Sequence, residues 1–174
     1  MDKPESKKLE VIIPAFRSHS QTFVMVLEGI SEEDAKKRIE GKTNHIIWMV
    51  GNFINMRYNL GWVLGLKEED PFTELFFQGK ALDESFNYPT LEELKESFHK
   101  ISPLVYQKLL AATDEDLDKD FPMGMGIDFF QENVLNFAGM CISREDYLSG
   151  QIALMRKILG YDAMKYNFDK ELKY

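Results

Sequence analysis

The sequence predicts an all-α fold, a four-helix bundle with a long crossover between its second and third long helices. Apolar residues recur at steps of three and four along four long segments, as they do on one face of a helix. No segment alternates apolar and polar residues for long enough to indicate a sheet. Pro71, Gly79 and Pro89 interrupt the helical period between the second and third segments and indicate the crossover.

Length and composition are those of a globular protein and exclude several functions. The 174 residues suffice for one hydrophobic core, so we expect a single domain over residues 1–174. No apolar run reaches the ~18 residues of a membrane span, and residues 1–10 lack the apolar run of a signal peptide. We therefore expect a cytoplasmic protein without a membrane partner. The formal net charge of -8 disfavours a nucleic-acid partner, because phosphate binding relies on Lys and Arg.

The first long helix is predicted over residues 7–28, where apolar residues follow the helical period. Pro14 lies inside this segment and predicts either a kink or a helix that begins just before it. Ser31 and the acidic residues after it resemble a capping box and predict a short helix through Ile39.

The second long helix is predicted over residues 45–64. Gly41 breaks the chain before it, and Asn44 is its expected N-cap. The stretch 65–89 shows no sustained period, so we expect a long connection with one helical turn at residues 72–76.

The third and fourth long helices have clear signals in the second half of the chain. Thr90 and Glu93 match a capping box and predict a helix to about residue 112, and Gly160 is a plausible C-cap for a helix over residues 128–160. This last helix carries a single stripe at helical spacing, formed by Phe130, Val134, Phe137, Cys141, Arg144, Leu148, Ile152, Met155 and Leu159.

Arg144 is a charged residue on this apolar stripe, which leaves two interpretations. An unpaired buried charge costs several kcal/mol, so a core-facing guanidinium needs a partner. Arg144 either reaches solvent or pairs with a carboxylate across the bundle, or it binds an anionic ligand between helices.

The second helix carries a polar row at helical spacing: His45, Asn52, Asn55 and Asn59, with Trp48 among them. Asn is a poor helix former, so such a row is expected either to face solvent or to hydrogen-bond to another segment.

His19, His45 and His99 lie on three different predicted helices, and no pair has the spacing that would place two metal ligands on one face. Cys141 is the only cysteine, which excludes intrachain disulfides and thiolate-rich zinc sites. Its place on the apolar stripe predicts packing as a small apolar group.

Four segments, in order along nearly the whole chain, resemble the DinB-like (YfiT-like) superfamily of metalloenzymes. The first resembles the superfamily's second-helix signature, and the last resembles the end of its fourth helix. The segments are NHIIWMVGN at 44–52, PFTELF at 71–76 followed by Gly79, YPTLEEL at 88–94, and REDYLSGQI at 144–152 followed by MRKILG at 155–160.

The resemblance implies three metal-binding histidines at the positions that Asn52, Arg144 and Leu148 occupy here. None of these side chains is a histidine, an arginine is not deprotonated, and a leucine has no donor atom. We therefore expect a degenerate site without metal or cofactor. The expected ligand-binding residues are these three with Trp48 and Gln151 of the same motifs.

The resemblance leaves three hypotheses of function. The first is a non-catalytic bundle that binds a small anionic ligand near Arg144, and the resemblance implies a homodimer. The alternative is a metal-dependent thiol transferase or isomerase-like enzyme that uses a different ligand set. A stress- or damage-associated interaction module is suggested by the family's name alone.

Overall fold

The computed structural model describes residues 3–174, and within this range the fold is all-helical. It contains seven α-helices and three short 3-10 helices, and no β-strand forms among the described residues. The α-helices are α1 (Ile12–Leu27), α2 (Glu32–Ala35), α3 (Ile46–Val63), α4 (Thr73–Phe76), α5 (Leu91–Ala111), α6 (Asp114–Asp118) and α7 (Val134–Ile158).

The four long helices α1, α3, α5 and α7 pack against one another as a bundle. Helices α1 and α3 each pack against both α5 and α7. Of these four helix pairs, α1 and α5 pack least closely. The predicted all-α class is confirmed, and the connection from α3 to α5 is long, as expected, and holds only α4 and a short 3-10 helix.

The N-terminal helix begins at Ile12, so of the two alternatives for Pro14 the helix start is confirmed. Pro14 lies in the first turn, where its missing N–H would have had no partner inside the helix. Residues Lys7–Leu9 form a separate 3-10 helix, and Leu9 is fully buried.

The N-cap of α3 is His45, and the prediction of Asn44 was wrong. The Nδ1 atom of His45 accepts a hydrogen bond from the backbone N–H of Trp48 at 2.9 Å. Burial lowers the pKa of His45, which favours the neutral ring that carries this acceptor lone pair. A side chain outside the usual capping set thus starts the helix.

The last helix begins six residues later than predicted, at Val134, with Asn133 as its N-cap. The carboxylate of Glu132 accepts hydrogen bonds from the backbone N–H groups of Met123 and Met125, which folds the preceding segment into a loop. These contacts also lower the pKa of Glu132. At the other end Gly160 has φ +91°, which is the glycine conformation expected just after a helix.

The interior is one continuous apolar cluster to which all four long helices contribute. Phe23 of α1 stacks on Phe98 of α5 with ring centroids 3.8 Å apart, and both rings contact Phe53 of α3. Among the described residues no helix has both the length and the apolar character to cross a membrane.

Candidate functional site

Arg144 and Asn52 are brought together by α7 and α3. The Nε atom of Arg144 donates a hydrogen bond to Asn52 Oδ1 at 3.0 Å. Asn52 is fully buried, and its Nδ2 donates to the carbonyl of Phe76 at 3.4 Å. Arg144 is half-buried, and its guanidinium lies 5.1 Å from the ring centroid of Tyr147. Among the described residues it forms no ion pair, so its partner is an amide and not a carboxylate.

The other three predicted site residues have different environments. Leu148 is fully buried in the apolar core. Trp48 is also buried, and its Nε1 donates to the carbonyl of Lys80 at 3.1 Å. Gln151 is half-buried on α7. The direct hydrogen bond among the five residues is therefore the one between Arg144 and Asn52.

The side chains at these positions do not fit a divalent metal. The amide oxygen of Asn52 already accepts from Arg144, a guanidinium has no lone pair to donate, and Leu148 has no donor atom. Within residues 3–174 no group of three or more His, Cys, Asp or Glu side chains lies close enough together to hold a metal ion.

The polar row of α3 faces the crossover and holds it in place. Asn55 Nδ2 donates to the carboxylate of Asp70 at 2.6 Å, and Asn59 donates to Asn55 Oδ1 at 3.0 Å. Asp70 in turn accepts from the backbone N–H of Phe72. Burial raises the pKa of Asp70 against these hydrogen bonds. Of the two interpretations of the row, hydrogen bonding to another segment is observed for Asn52 and Asn55, whereas Asn59 and His45 bond within or at the start of α3.

Gly51 allows the crossover to approach α3 closely. A Cβ atom at this position would lie 2.0 Å from Cζ of Phe76, which is fully buried. The ring of Phe76 therefore lies directly against the helix backbone, beside Asn52, and the crossover covers this side of the bundle.

A buried ion pair in the centre of the bundle was missed by the sequence analysis. Arg57 of α3 and Glu145 of α7 are both fully buried. Arg57 Nε donates to Glu145 Oε1 at 3.0 Å, and its Nη2 donates to Oε2 at 3.2 Å. The remaining Nη1 donates to Ser20 Oγ of α1 at 2.9 Å. Such a bidentate pair is strong when its other polar atoms are also satisfied.

Aromatic rings complete the environment of Arg57. Its guanidinium carbon lies 4.1 Å, 5.1 Å and 4.7 Å from the ring centroids of Phe16, Phe53 and Phe98. Burial lowers the pKa of Arg57, and the charge of Glu145 opposes that shift. Through these contacts one side chain of α3 touches α1, α5 and α7, which fixes the four helices relative to one another.

Two features of the sequence could have revealed this pair. Arg57 is the only Lys, Arg, Asp or Glu within α3, and a lone charge in an apolar helix requires a buried partner. Glu145 directly follows Arg144, and the core-facing position on α7 belongs to Glu145. Since neighbouring residues differ by about 100° around a helix, a stripe with steps of three and four can be misassigned by one residue.

The three histidines do not converge. The Nδ1 atom of His19 lies 3.3 Å from Glu145 Oε2, His45 caps α3, and His99 contacts the hydroxyl of Tyr174. Cys141 is fully buried and packs in the core, as expected. Burial raises the pKa of its thiol well above the ordinary value, which disfavours the nucleophilic thiolate.

No protein-family model, curated protein or solved structure matches this chain. The site is therefore interpreted from its own geometry. That geometry consists of the half-buried guanidinium of Arg144 held by the buried amide of Asn52, and of a fully buried ion pair between Arg57 and Glu145.

Proposed function

We propose that this chain is a DinB-like helical bundle of non-catalytic type, in which Arg144 binds a small carboxylate or phosphate without a metal. The observation that supports the proposal is that part of the Arg144 guanidinium is not hydrogen-bonded by the described residues. Its Nε is held by Asn52, whereas its Nη1 and Nη2 make no hydrogen bond with any residue among 3–174. Two parallel N–H groups of this kind match the two oxygens of a carboxylate or phosphate.

The surroundings of Arg144 support an oriented guanidinium. Asn52 is itself fixed by the carbonyl of Phe76, and the ring of Tyr147 lies beside the guanidinium. A side chain that is already positioned loses less conformational entropy when a ligand binds. The half-buried location also reduces the competition from water that weakens exposed charge pairs.

Calorimetric titration with acetate, succinate and inorganic phosphate tests this proposal. We expect binding by the unmodified protein and a loss of at least about tenfold in Arg144→Gln, since hydrogen bonds to charged groups contribute ~1.5–3 kcal/mol. Arg144→Lys keeps the charge but lacks the paired N–H groups, so it restores only part of the affinity.

Arg17 offers a matched control. It is also half-buried and lies near a tyrosine, with its guanidinium carbon 6.0 Å from the ring centroid of Tyr106, but no amide among residues 3–174 holds it. Arg17→Gln is expected to bind the same anions as the unmodified protein. Equal affinities for Arg144→Gln and Arg17→Gln contradict the proposed site. Stoichiometric zinc, nickel or iron in the purified protein contradicts its metal-free character and favours the enzyme alternative.

We also propose a homodimer, and the outer face of α7 supports it. Tyr147, Leu154 and Ile158 project from this face with 57%, 61% and 51% of their surface exposed. Gly150 lies among them, and a Cβ atom there would meet no heavy atom within 4 Å. A row of exposed apolar side chains with a small residue at its centre suits close packing of a second helix.

Two opposite charges beside this row suit the pairing of two copies of α7. Asp146 and Lys157 are exposed, and they lie eleven residues apart, about three helical turns, on the same side of the row. If two α7 helices cross antiparallel next to Gly150, at about residue 151, Asp146 lies within about one residue of the level of the partner's Lys157, and Tyr147 lies within about one residue of the level of the partner's Leu154. A two-fold interface requires this kind of self-complementarity.

Light scattering at several protein concentrations tests the dimer. We expect Asp146→Lys and Lys157→Glu each to weaken association through like charges, and the double variant to restore it. Glu96→Lys changes an exposed charge on α5 and serves as the control. A protein that is monomeric at every concentration contradicts the dimer, and a double variant that stays dissociated contradicts the antiparallel pairing.

A further inference from the structure

Arg144 and Gln151 lie on one side of α7, two helical turns apart. Seven residues turn through about 700°, so the two side chains point within about 20° of each other and lie about 10.5 Å apart along the helix axis. Both are half-buried. The side-chain amide of Gln151, like the Nη groups of Arg144, makes no hydrogen bond with a residue among 3–174. This side of α7, the polar strip, therefore presents two unbonded polar groups at a fixed separation.

The direction of α3 beside the polar strip follows from two contacts. Asn52 of α3 contacts Arg144 of α7. Ten residues later, Trp62 packs on Phe121, whose ring packs in turn on Phe137 of α7. A step forward along α3 thus corresponds to a step backward along α7, and the two helices are antiparallel. The residues just before Asn52 therefore lie beside those that follow Arg144.

The crossover and the exposed apolar row of α7 border the polar strip on its two sides. Asn52 and Trp48, one turn apart on α3, donate hydrogen bonds to two carbonyls of the crossover, those of Phe76 and Lys80. The crossover therefore follows α3 along the length of the strip. The exposed row is centred about 50° further round α7, so the strip lies at the edge of that row.

Neither carboxylate next to Arg144 in the sequence faces the polar strip. Glu145 is fully buried and bonded to Arg57. Asp146 lies on the α1 side of α7, where its Oδ1 is 3.8 Å from His19 Nε2. The strip therefore carries a positive charge at one end and a neutral amide at the other, although the chain as a whole is acidic. This charge pattern suits a ligand with one carboxylate and a neutral polar group about 10 Å away.

We propose that the polar strip binds the C-terminal end of an extended peptide, an inference that rests on the anion site proposed at Arg144. The terminal carboxylate pairs with the free N–H groups of Arg144. An extended chain rises ~3.3 Å per residue, so the peptide group three residues earlier reaches the level of Gln151. The side-chain amide of Gln151 has donors and an acceptor, which match the C=O and N–H of such a peptide group.

NMR titration of the full chain with N-acetyl-triglycine tests this inference, with N-acetylglycine as the short compound. Both carry the same carboxylate, but only the longer compound places an amide group ~10 Å from it. We expect the longer compound to bind about fivefold more tightly and to shift the side-chain amide signals of Gln151, since a net hydrogen bond contributes about this factor. N-acetyl-triglycine amide lacks the negative charge and should bind at least about tenfold more weakly than the acid.

Two variants separate Gln151 from other surface amides. Gln151→Leu removes the amide and keeps a good helix former, so it should abolish the advantage of the longer compound and leave the affinity for N-acetylglycine unchanged. Gln107→Leu, at an exposed position on α5, is the matched control and should change neither affinity.

The outcomes distinguish this inference from the anion site on which it rests. Equal affinities for the two compounds overturn the peptide assignment, as does an advantage that persists in Gln151→Leu or equal binding of the acid and its amide. Absent binding of both compounds contradicts the anion site at Arg144 and the inference with it. The comparisons between compounds use the unmodified protein, so they do not depend on the folding of a variant.

Discussion

Two arginines of this bundle show how position determines the role of a charge. Arg57 is fully buried, bidentate to Glu145 and surrounded by aromatic rings. Arg144 lies at the edge of the bundle, with one N–H group bonded to Asn52 and its other end unbonded to the described residues. The N–H groups of Arg57 are bonded within the protein, so this arginine stabilises the arrangement of the helices. Arg144 keeps N–H groups for a ligand, and a ligand can reach it because the side chain is partly exposed to solvent.

The largest loss of stability is expected from breaking the buried ion pair of Arg57 and Glu145. Arg57→Ala leaves Glu145 as an uncompensated buried charge and should lower the free energy of unfolding by about 3–5 kcal/mol in urea titrations. The double variant Arg57→Met/Glu145→Leu replaces both charges with apolar groups and should recover most of that loss. The Ser20 hydroxyl keeps its bond to the carbonyl of Phe16 in this variant. A single variant that loses less than ~1 kcal/mol contradicts the structural role of the pair.

The next largest effect on stability is expected where the crossover packs against α3, beside Asn52. Gly51→Ala places a methyl group inside the ring of Phe76 and should destabilise the protein by about 1–3 kcal/mol, as overpacking does. Gly139→Ala is the control, because a Cβ there meets nothing within 4 Å. In the helix interior it should stabilise by ~0.5–1 kcal/mol. Equal behaviour of the two variants in thermal unfolding contradicts the close approach of the crossover.

Arg144→Ala should have a much smaller effect on stability than Arg57→Ala. It removes the donor to the oxygen of the fully buried Asn52, so we expect a loss of about 1–2 kcal/mol. The same urea titrations measure both variants. Similar losses for the two arginines would contradict the distinction between a structural and a ligand-binding guanidinium.

The smallest effect on stability is expected at an exposed carboxylate, that of Asp34. Hydrogen bonds from Lys37, Tyr161 and Ser31 lower the pKa of Asp34 to about 2. An acid with a lowered folded-state pKa adds stability above its unfolded pKa, and this stability is lost as pH falls through the folded value. The melting temperature should therefore fall between about pH 4 and pH 2, and Asp34→Asn should reduce that fall. An unchanged pH profile in Asp34→Asn contradicts the assignment.

Much of the fold could be predicted because helical period and capping residues act locally. The box of Thr90 and Glu93 forms as predicted, with the Thr90 hydroxyl and the Glu93 carboxylate each bonded to the other's backbone N–H. The start of α7 was predicted too early because Phe129 and Phe130 continue the apolar pattern. The backbone contacts of Glu132, which hold that segment as a loop, leave no periodic signal.

The candidate site was predicted only in part. The motifs indicated Asn52 and Arg144, and the structure places these two in direct contact. The partner of Arg144 was not predictable, since a hydrogen bond between residues ninety-two positions apart depends on how α3 and α7 face each other. The DinB-like assignment, the homodimer and the anion remain predictions.

By itself the sequence determined the helical class, the long crossover and the chemistry of the side chains at positions 52, 144 and 148, because these depend on local pattern and residue type. Only the tertiary structure decided which arginine is buried and which is available to a ligand. The rotation of each helix about its axis sets that outcome, and packing against Phe16, Phe98 and Glu145 fixes the rotation.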